Sequence, residues 1–347
     1  MITWTANGCA RNGEGYGDAF NKIFENLSKQ GLDIYSPETK LPKELEDSPP
    51  GIGYFLLDKA VQESDIIVNN CVPEAYIKGN NYSIGFTYWE TNRLKQDWVD
   101  SMNKMDEIWT TSQSMVDIFT DSGVKVPVYN FNLGVNPKLY FPVERVVEDR
   151  FTFLCIGSPS TRKNSQMSVD AFLKLFDGNP DYQMIYKSNG PPDARMNKNG
   201  YWSKIDHPQI KIIDHLVSEE ELSEIYNLSD CVLYPTSGEG WGLIPFQGIA
   251  KGIPTICTNA TACTEYAHMS VPLDFEWSNY NMSGVYENAG MWAMPKFDDL
   301  CDKMLYVINN YDKVSKKTYQ SAEYINRNMT WELVSKDYED RLCQILK

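Results

Sequence analysis

"CVLYPTSGEGWGLIPFQGIAKGIPTICT" (residues 231–258) reads as four pieces in a row. "CVLYP" is a short apolar run of strand length, and "TSGEGWG" is a glycine-rich turn. "LIPFQGIAKG" is an apolar run that reads as a helix, and "PTICT" is a second strand. Strand, glycine turn, helix, strand is the repeating unit of a parallel α/β sheet. The glycines let backbone amides approach a ligand, and the amides of Gly242, Leu243 and Ile244 are expected to point out of the helix start. That end of a helix suits a phosphate, yet the turn also carries a carboxylate, Glu239. Glu239 can accept hydrogen bonds from hydroxyl groups beside the phosphate, and Gln247, further along the helix, can reach a second set. An anion flanked by polyol contacts suggests a sugar nucleotide. A tight turn ahead of a buried helix, with Glu239 a solvated loop carboxylate, would read the same way from this stretch alone.

The same rhythm extends in both directions. Upstream, "FTFLCIG", "YQMIYK" and "IKIID" read as strands. "NSQMSVDAFLKLF" places Val169, Phe172, Leu173 and Phe176 on one helical face, and "SEEELSEIYN" opens with a Ser218/Glu221 capping box. The first half begins with a strand, Ile2 to Thr5, then a glycine loop "NGCARNGEGYG". A helix follows with Phe20, Ile23, Phe24 and Leu27 on one face, Asp18 at its expected start and Gly31 at its end. "DIIVNN", "SIGFTYW", "EIWTTS" and "VPVYNF" are further buried strands. The polar, turn-rich stretch 133–150 reads as a linker. The expected architecture is two doubly wound parallel-sheet domains facing a cleft, with ligand at the carboxyl ends of the strands.

Composition narrows the function. The chain has 347 residues, enough for two domains, and 42% hydrophobic residues, which fits a folded globule. Its formal net charge of −15, from 47 acidic and 32 basic residues, disfavours unaided binding to nucleic acid or anionic lipid. No apolar run has membrane-spanning length, and the start of the chain does not read as a signal peptide. The eight cysteines form no C-x-x-C pair, so reduced thiols and a cytoplasmic location are expected. There is no Asp-x-Asp and no His/Asp/Glu cluster with ligand spacing, so no metal is expected.

Residues 237–256 resemble the signature of the retaining GT-B glycosyltransferases of family 4, a Glu, seven residues and a second Glu. "RFTFLCIGSPSTRKN" (150–164) is similar to that family's strand-glycine-Arg-Lys loop, and "IKIIDHLVSEEELSEIYNLSDCVLYPTSGEG" (210–240) also follows its pattern. In the first half "GEGYGDAFNKIFENLSKQG" (13–31) resembles the N-terminal glycine loop and first helix. The segment from "YWETNR" (88–93) to "LGVNPKLYFP" (133–142) resembles the approach to the domain linker, and "MTWELVSKDYEDRLCQIL" (329–346) the helix that crosses back. The resemblance implies a GT-B fold, with an N-terminal acceptor-side domain over 1–140, a donor domain over 150–328 and a terminal helix, 329–347, packing on the first domain.

It also implies roles. Glu239 contacts the donor sugar, and Gln247 stands where the family's second Glu holds the ribose. Lys163 matches the diphosphate-binding Lys. Ser158 stands where an Arg is usual after Gly157, and Arg162 supplies that charge. Lys187 is a further phosphate candidate, and Leu216 and Val217 lie near the base. Gly240, Trp241, Gly242, Leu243 and Ile244 complete the donor loop, and Gly15 and Gly17 pack under the diphosphate and sugar. The three histidines, His207, His215 and His268, all lie in the second half, so the family's first-domain His has no counterpart. Trp89, Glu90 and Arg93 are the acceptor-side candidates, with capping and packing as their other reading. The implied activity is metal-independent, retaining transfer from a nucleoside-diphosphate sugar, with no cofactor, to a glycan or glycoconjugate. Transfer to hydroxymethylated bases in DNA, a non-catalytic GT-B-like subunit and an epimerase of the same fold remain as alternatives.

Overall fold

The computed structural model describes residues 1–6, 15–36, 63–143, 149–158, 160–188, 207–280, 282 and 284–347. Most of the glycine loop after the first strand, with Cys9, and the middle of the expected linker lie outside these residues. The chain forms two compact units: Met1–Trp89 with Arg93–Gly134 and Trp331–Lys347, and Glu90–Asn92 with Val135–Thr330.

In the first unit, strands β1 (Ile2–Thr5), β2 (Ile34–Tyr35), β3 (Ile66–Asn70), β4 (Tyr82–Phe86), β5 (Glu107–Thr110) and β6 (Val128–Asn130) form one sheet. Its order is β2-β1-β3-β4-β5-β6, and every pair is parallel. β1 and β3 are buried along their whole length, as strands covered on both faces must be. Helix α1 (Gly15–Lys29) buries Phe20, Ile23 and Leu27. It starts three residues before Asp18, which therefore sits inside the first turn rather than capping it. Gly31 does end it, in the left-handed region at φ +93°.

The last helix, Trp331–Ile345, belongs to this unit. Its Tyr338 ring stacks on Phe131 at 4.8 Å and its hydroxyl donates to the Phe131 carbonyl at 3.0 Å. One turn on, the Arg341 guanidinium forms a two-pronged ion pair with the fully buried carboxylate of Glu107. A buried carboxylate requires such a partner.

In the second unit the strands are β7 (Phe151–Ile156), β8 (Tyr182–Lys187), β9 (Ile210–Ile213), β10 (Cys231–Tyr234), β11 (Thr255–Thr258) and β12 (Val271–Leu273). Their order, β12-β11-β10-β7-β8-β9, is that of a dinucleotide-binding sheet, all parallel. Phe153, Phe172, Phe176, Leu233 and Ile256 form its centre. The helix Glu219–Asn227 is opened by the Ser218/Glu221 capping box, both bonds of which are present. Two features were not read from the sequence. A hairpin of β13 (Phe275–Ser278) and β14 (Trp292–Pro295) follows the sheet. The second is that residues 135–143, expected in the linker, are part of the unit. Val135 bridges to Thr330, the Tyr140 ring is buried against Tyr226, and the buried Lys251 donates to the Leu139 carbonyl at 3.0 Å.

Candidate active site

The order of the second sheet reverses between β7 and β10: the chain winds outward from β7 through β8 and β9, then returns to β10 on β7's other side. The carboxyl ends of two neighbours at such a reversal are where an open α/β sheet ordinarily receives its ligand. The loop after β7 carries Arg162, Lys163 and Asn164, and the loop after β10 carries Thr236, Ser237, Gly238 and Glu239.

The loops are stitched together by backbone and amide bonds. The Ser237 amide donates to the Arg162 carbonyl at 2.7 Å. Asn164 donates to the Pro235 carbonyl at 2.9 Å and to the Ser237 hydroxyl at 2.7 Å. On this frame Glu239 turns inward, its side chain 8% exposed. Its Oε1 receives the Lys163 ammonium at 2.6 Å and the Arg162 guanidinium at 3.0 Å. The Tyr234 and Thr236 hydroxyls donate to the same oxygen at 3.0 and 2.8 Å. Oε2 accepts no bond among the described residues. Lys163 is shared with the Tyr234 hydroxyl at 2.6 Å, and Arg162 also donates to the Gly238 carbonyl at 2.7 Å.

Burial by itself would raise the Glu239 carboxyl, but Arg162 and then Lys163 outweigh it and hold the group down at about 2. Glu239 is therefore an anion at every physiological pH. Burial, and Arg162 beside it, lower Lys163 despite the carboxylate. A buried cluster of two cations on one carboxylate has charge to spare for an anionic ligand.

Glycine is required at two places in this loop. A Cβ on Gly238 would lie 1.8 Å from the Glu90 carbonyl oxygen. Gly242 adopts φ +85°, and a Cβ there would meet the Tyr266 hydroxyl at 2.5 Å. Gly242 begins helix α6 (Leu243–Ala250; α2 to α5 are Gln96–Met102, Gln113–Ser122, Ser165–Phe176 and Glu219–Asn227). Its third position is Pro245, which has no N–H, so the amides of Leu243 and Ile244 are the orphan donors of this end. Neither finds an acceptor among the described residues.

The other sequence-predicted residues fall into place unevenly. Gly157 follows β7 and donates to the Lys187 carbonyl at 3.0 Å. The Lys187 ammonium is itself committed, donating to the carbonyls of Ser188 at 2.6 Å and His215 at 2.8 Å, which argues against a phosphate role. Leu216 is 74% exposed just beyond β9, with Val217 beside it. Trp241 is buried between Phe246 and Tyr266, a packing role, and Gly240 is buried with it. Gln247 is half-buried, and its Oε1 lies 3.4 Å from the Tyr226 hydroxyl. Gly15 and Gly17 open helix α1 in the first unit, Gly15 exposed and Gly17 buried.

The acceptor-side trio separates. Trp89 is fully buried against Trp98, its indole N–H on the Arg93 carbonyl at 2.9 Å, so its ring offers no face for stacking. Arg93 is exposed in the first unit. Glu90, expected on the first domain, belongs to the second unit. Its neighbour Asn92 exchanges bonds with Met291, and Glu90 Oε2 takes the Tyr286 hydroxyl at 3.1 Å. Burial raises the Glu90 carboxyl, and Arg162 opposes that.

Sequence reasoning did not find Tyr234, Thr236, Asn164, Thr261 or Tyr286. The first three flank residues already singled out, and their hydroxyl or amide groups next to the loop were the available signal. Thr261, whose hydroxyl accepts from the Glu239 amide at 2.9 Å, and Tyr286 reach the site from distant segments without any pattern. Among the described residues no group of three or more His, Cys, Asp or Glu is placed to hold a metal ion, and no helix is long and apolar enough to cross a membrane.

Residues 150–272 match the family described as Glycosyl transferases group 1. A GDP-mannose-dependent alpha-(1-6)-phosphatidylinositol dimannoside mannosyltransferase of Mycobacterium tuberculosis (strain ATCC 25177 / H37Ra) is 26% identical over 141 residues. That match spans 38% of this chain and 36% of the relative, so the chain covers about a third of that protein. Among solved structures, sucrose-phosphate synthase from Thermosynechococcus elongatus superposes with a TM-score of 0.68 at 13% identity, covering 99% and 98% of the two chains. HepE of Anabaena, in complex with UDP and glucose, gives 0.67 at 12% identity over 99% of each chain. WaaG, a glycosyltransferase involved in lipopolysaccharide biosynthesis, gives 0.66 at 12% identity, covering 97% and 98%. The chain has the GT-B fold, built on two six-stranded parallel sheets.

Proposed function

We propose that this chain, a GT-B protein with a group 1 glycosyl transferase segment in its second unit, moves a sugar from a nucleoside-diphosphate sugar to a hydroxyl of a glycan or glycoconjugate. The observation that carries the reading is the Arg162–Lys163–Glu239 cluster at the switch point, beside the free amides of Leu243 and Ile244. Arg162, Lys163 and these amides suit a diphosphate, and Glu239 suits the hydroxyls of the sugar attached to it. Gln247 faces the ribose as a neutral partner, and the exposed Leu216 with Val217 contacts the base.

Electrostatic support of the departing diphosphate is the main catalytic term, supplied by the two fixed cations and the helix amides. In this reading the acceptor hydroxyl attacks from the face the nucleotide leaves, the anomeric configuration is retained, and the departing phosphate takes the hydroxyl proton. The protein's cations do the work a metal would do, so transfer persists in excess EDTA; loss of activity that manganese or magnesium restores would contradict this. A cytoplasmic setting belongs to the same proposal, supported by seven free thiols among the described residues, six of them buried.

The test offers labelled sugar nucleotides, GDP-mannose and UDP-glucose first, with simple glycans or with duplexes containing hydroxymethylcytosine. The relative's name motivates the first donor and the HepE complex the second. Transfer to a glycan with retained configuration is expected. Salt-sensitive transfer to the duplex would move the acceptor to DNA, against the charge of −15.

A further inference from the structure

The hairpin β13–β14 is an addition to the sheet it follows. β12 already completes the order of the second sheet, and the next helix, Phe297–Asn309, begins only after residues 275–295 have gone out and back. The hairpin is nevertheless fixed to the loops of the candidate site. Ala293 pairs with Trp277 across one edge of β14, and its amide donates to the Ser237 carbonyl at 2.9 Å across the other. The Ser237 hydroxyl lies 3.2 Å from the Met294 sulfur. The segment joining the two strands is tied down as well. The Asn92 amide donates to the Met291 carbonyl at 3.2 Å, the Met291 amide to Asn92 Oδ1 at 2.7 Å, and the Tyr286 hydroxyl to Glu90 at 3.1 Å. All of these residues belong to the second unit. β14 is thus the inner strand, and β13 stands one strand spacing, about 5 Å, further from the loop that carries Glu239.

The outward side chains of this hairpin are aromatic. Trp277 is 41% exposed and Tyr280 57%. The Trp277 ring is already oriented, meeting the Phe275 ring edge to face at 5.1 Å, and the Tyr280 amide is held by the Ser278 hydroxyl at 3.2 Å. Groups ordered before a ligand arrives lose less freedom on binding it. Asp274, Glu276 and Glu287 are exposed on the same segment, with Lys296 paired to Glu276 at 3.4 Å. Aromatic faces beside carboxylates match the two aspects of a sugar ring. Its C–H groups form an apolar face that covers an aromatic ring, and its hydroxyls donate to carboxylate oxygens. The same carboxylates disfavour an anionic partner.

Building on the glycosyltransferase reading, we propose that the β13–β14 hairpin is a glycan-binding subsite, where Trp277 and Tyr280 hold sugar rings of a neutral oligosaccharide acceptor whose terminal hydroxyl reaches the cluster. The occupant is a chain of sugars rather than one sugar, because only a chain spans from the Ser237 loop to the outer strand. Trp277 and Tyr280 are specificity residues for acceptor length and make no contact with the reacting atoms.

Calorimetric titration of the full chain with mono-, di- and tetrasaccharides of α-linked glucose and of α-linked mannose tests this, with a sulfated tetrasaccharide beside them. In the wild type one neutral series should tighten from mono- to tetrasaccharide by at least about tenfold. The double variant Trp277→Ala/Tyr280→Ala should lose that gain with length, and Trp277→Phe should keep most of it. Damage to the fold would weaken every length alike, so the slope against length separates contact from structure. No binding of either neutral series by the wild type, an unchanged slope in the double variant, an equal loss at every length, or preference for the sulfated chain overturns the inference. The glycosyltransferase reading is judged separately, by donor hydrolysis in the wild type without acceptor. Its absence overturns that reading, and its presence with any of the four outcomes above overturns the subsite alone.

Discussion

At the scale of single residues, the site turns on how charge is arranged around one carboxylate. Glu239 is held down at about 2 against an ordinary value of 4.5, the effect of burial being outweighed by Arg162 and Lys163. A group depressed on folding stabilises the native state above its unfolded value, and that contribution disappears as pH falls through the folded value. Acid titration of stability should therefore show the advantage of the wild type over Glu239→Gln holding above pH 4.5 and shrinking between 4.5 and about 2. A difference independent of pH over that window would mean the ion pairs do not form in solution. Gly242 carries a second prediction. Its φ of +85° and its contact with Tyr266 leave no room for a Cβ, so Gly242→Ala should destabilise the second unit by more than the roughly 1 kcal/mol of an ordinary glycine replacement. Thermal unfolding reads this directly. Glu239, Arg162 and Lys163 were visible in the sequence, as a carboxylate in a glycine turn and a basic pair after a strand. Tyr286 was not, because nothing local marks a hydroxyl that reaches Glu90 across 196 positions.

Elements were legible where the physics is local. The Ser218/Glu221 box, the apolar face of α1 and the strand Tyr182–Lys187 follow from capping chemistry, a 3.6 period and a short run of strand length, and the structure has each of them. Ser218→Ala should cost about 1 kcal/mol, measured by denaturant titration, since the Glu221 amide loses its partner. The hairpin β13–β14 was not legible. Its strand Phe275–Ser278 leaves Glu276 and Trp277 exposed, without the buried run that marked the parallel strands. The segment 135–143 was taken for linker because it is rich in turn formers, yet Tyr140 and the Leu139 carbonyl are fixed by distant Tyr226 and Lys251. Glu90–Asn92 shows the same limit, a short piece tied to Met291 by one backbone bond and one bond to the Asn92 side chain.

For the whole molecule, two parallel sheets were implied by the alternation of strands and helices, but their strand orders were not, and the position of the site follows from where the second order reverses. The final helix has a place in the first unit that depends on Arg341 meeting Glu107, a buried carboxylate with no exposed surface. Arg341→Ala leaves that charge without its cation and should cost about 3–5 kcal/mol, lowering the unfolding midpoint of the unit. The central claim, that the Arg162–Lys163–Glu239 cluster is a sugar-nucleotide site, is tested most directly by nucleotide release from a panel of sugar nucleotides without acceptor. The wild type should hydrolyse one donor slowly. Lys163→Ala should bind that donor more weakly by about 1.5–3 kcal/mol, having lost a charge-assisted bond to phosphate, and Glu239→Ala should lose turnover. Hydrolysis and donor affinity near those of the wild type in both variants would contradict the account.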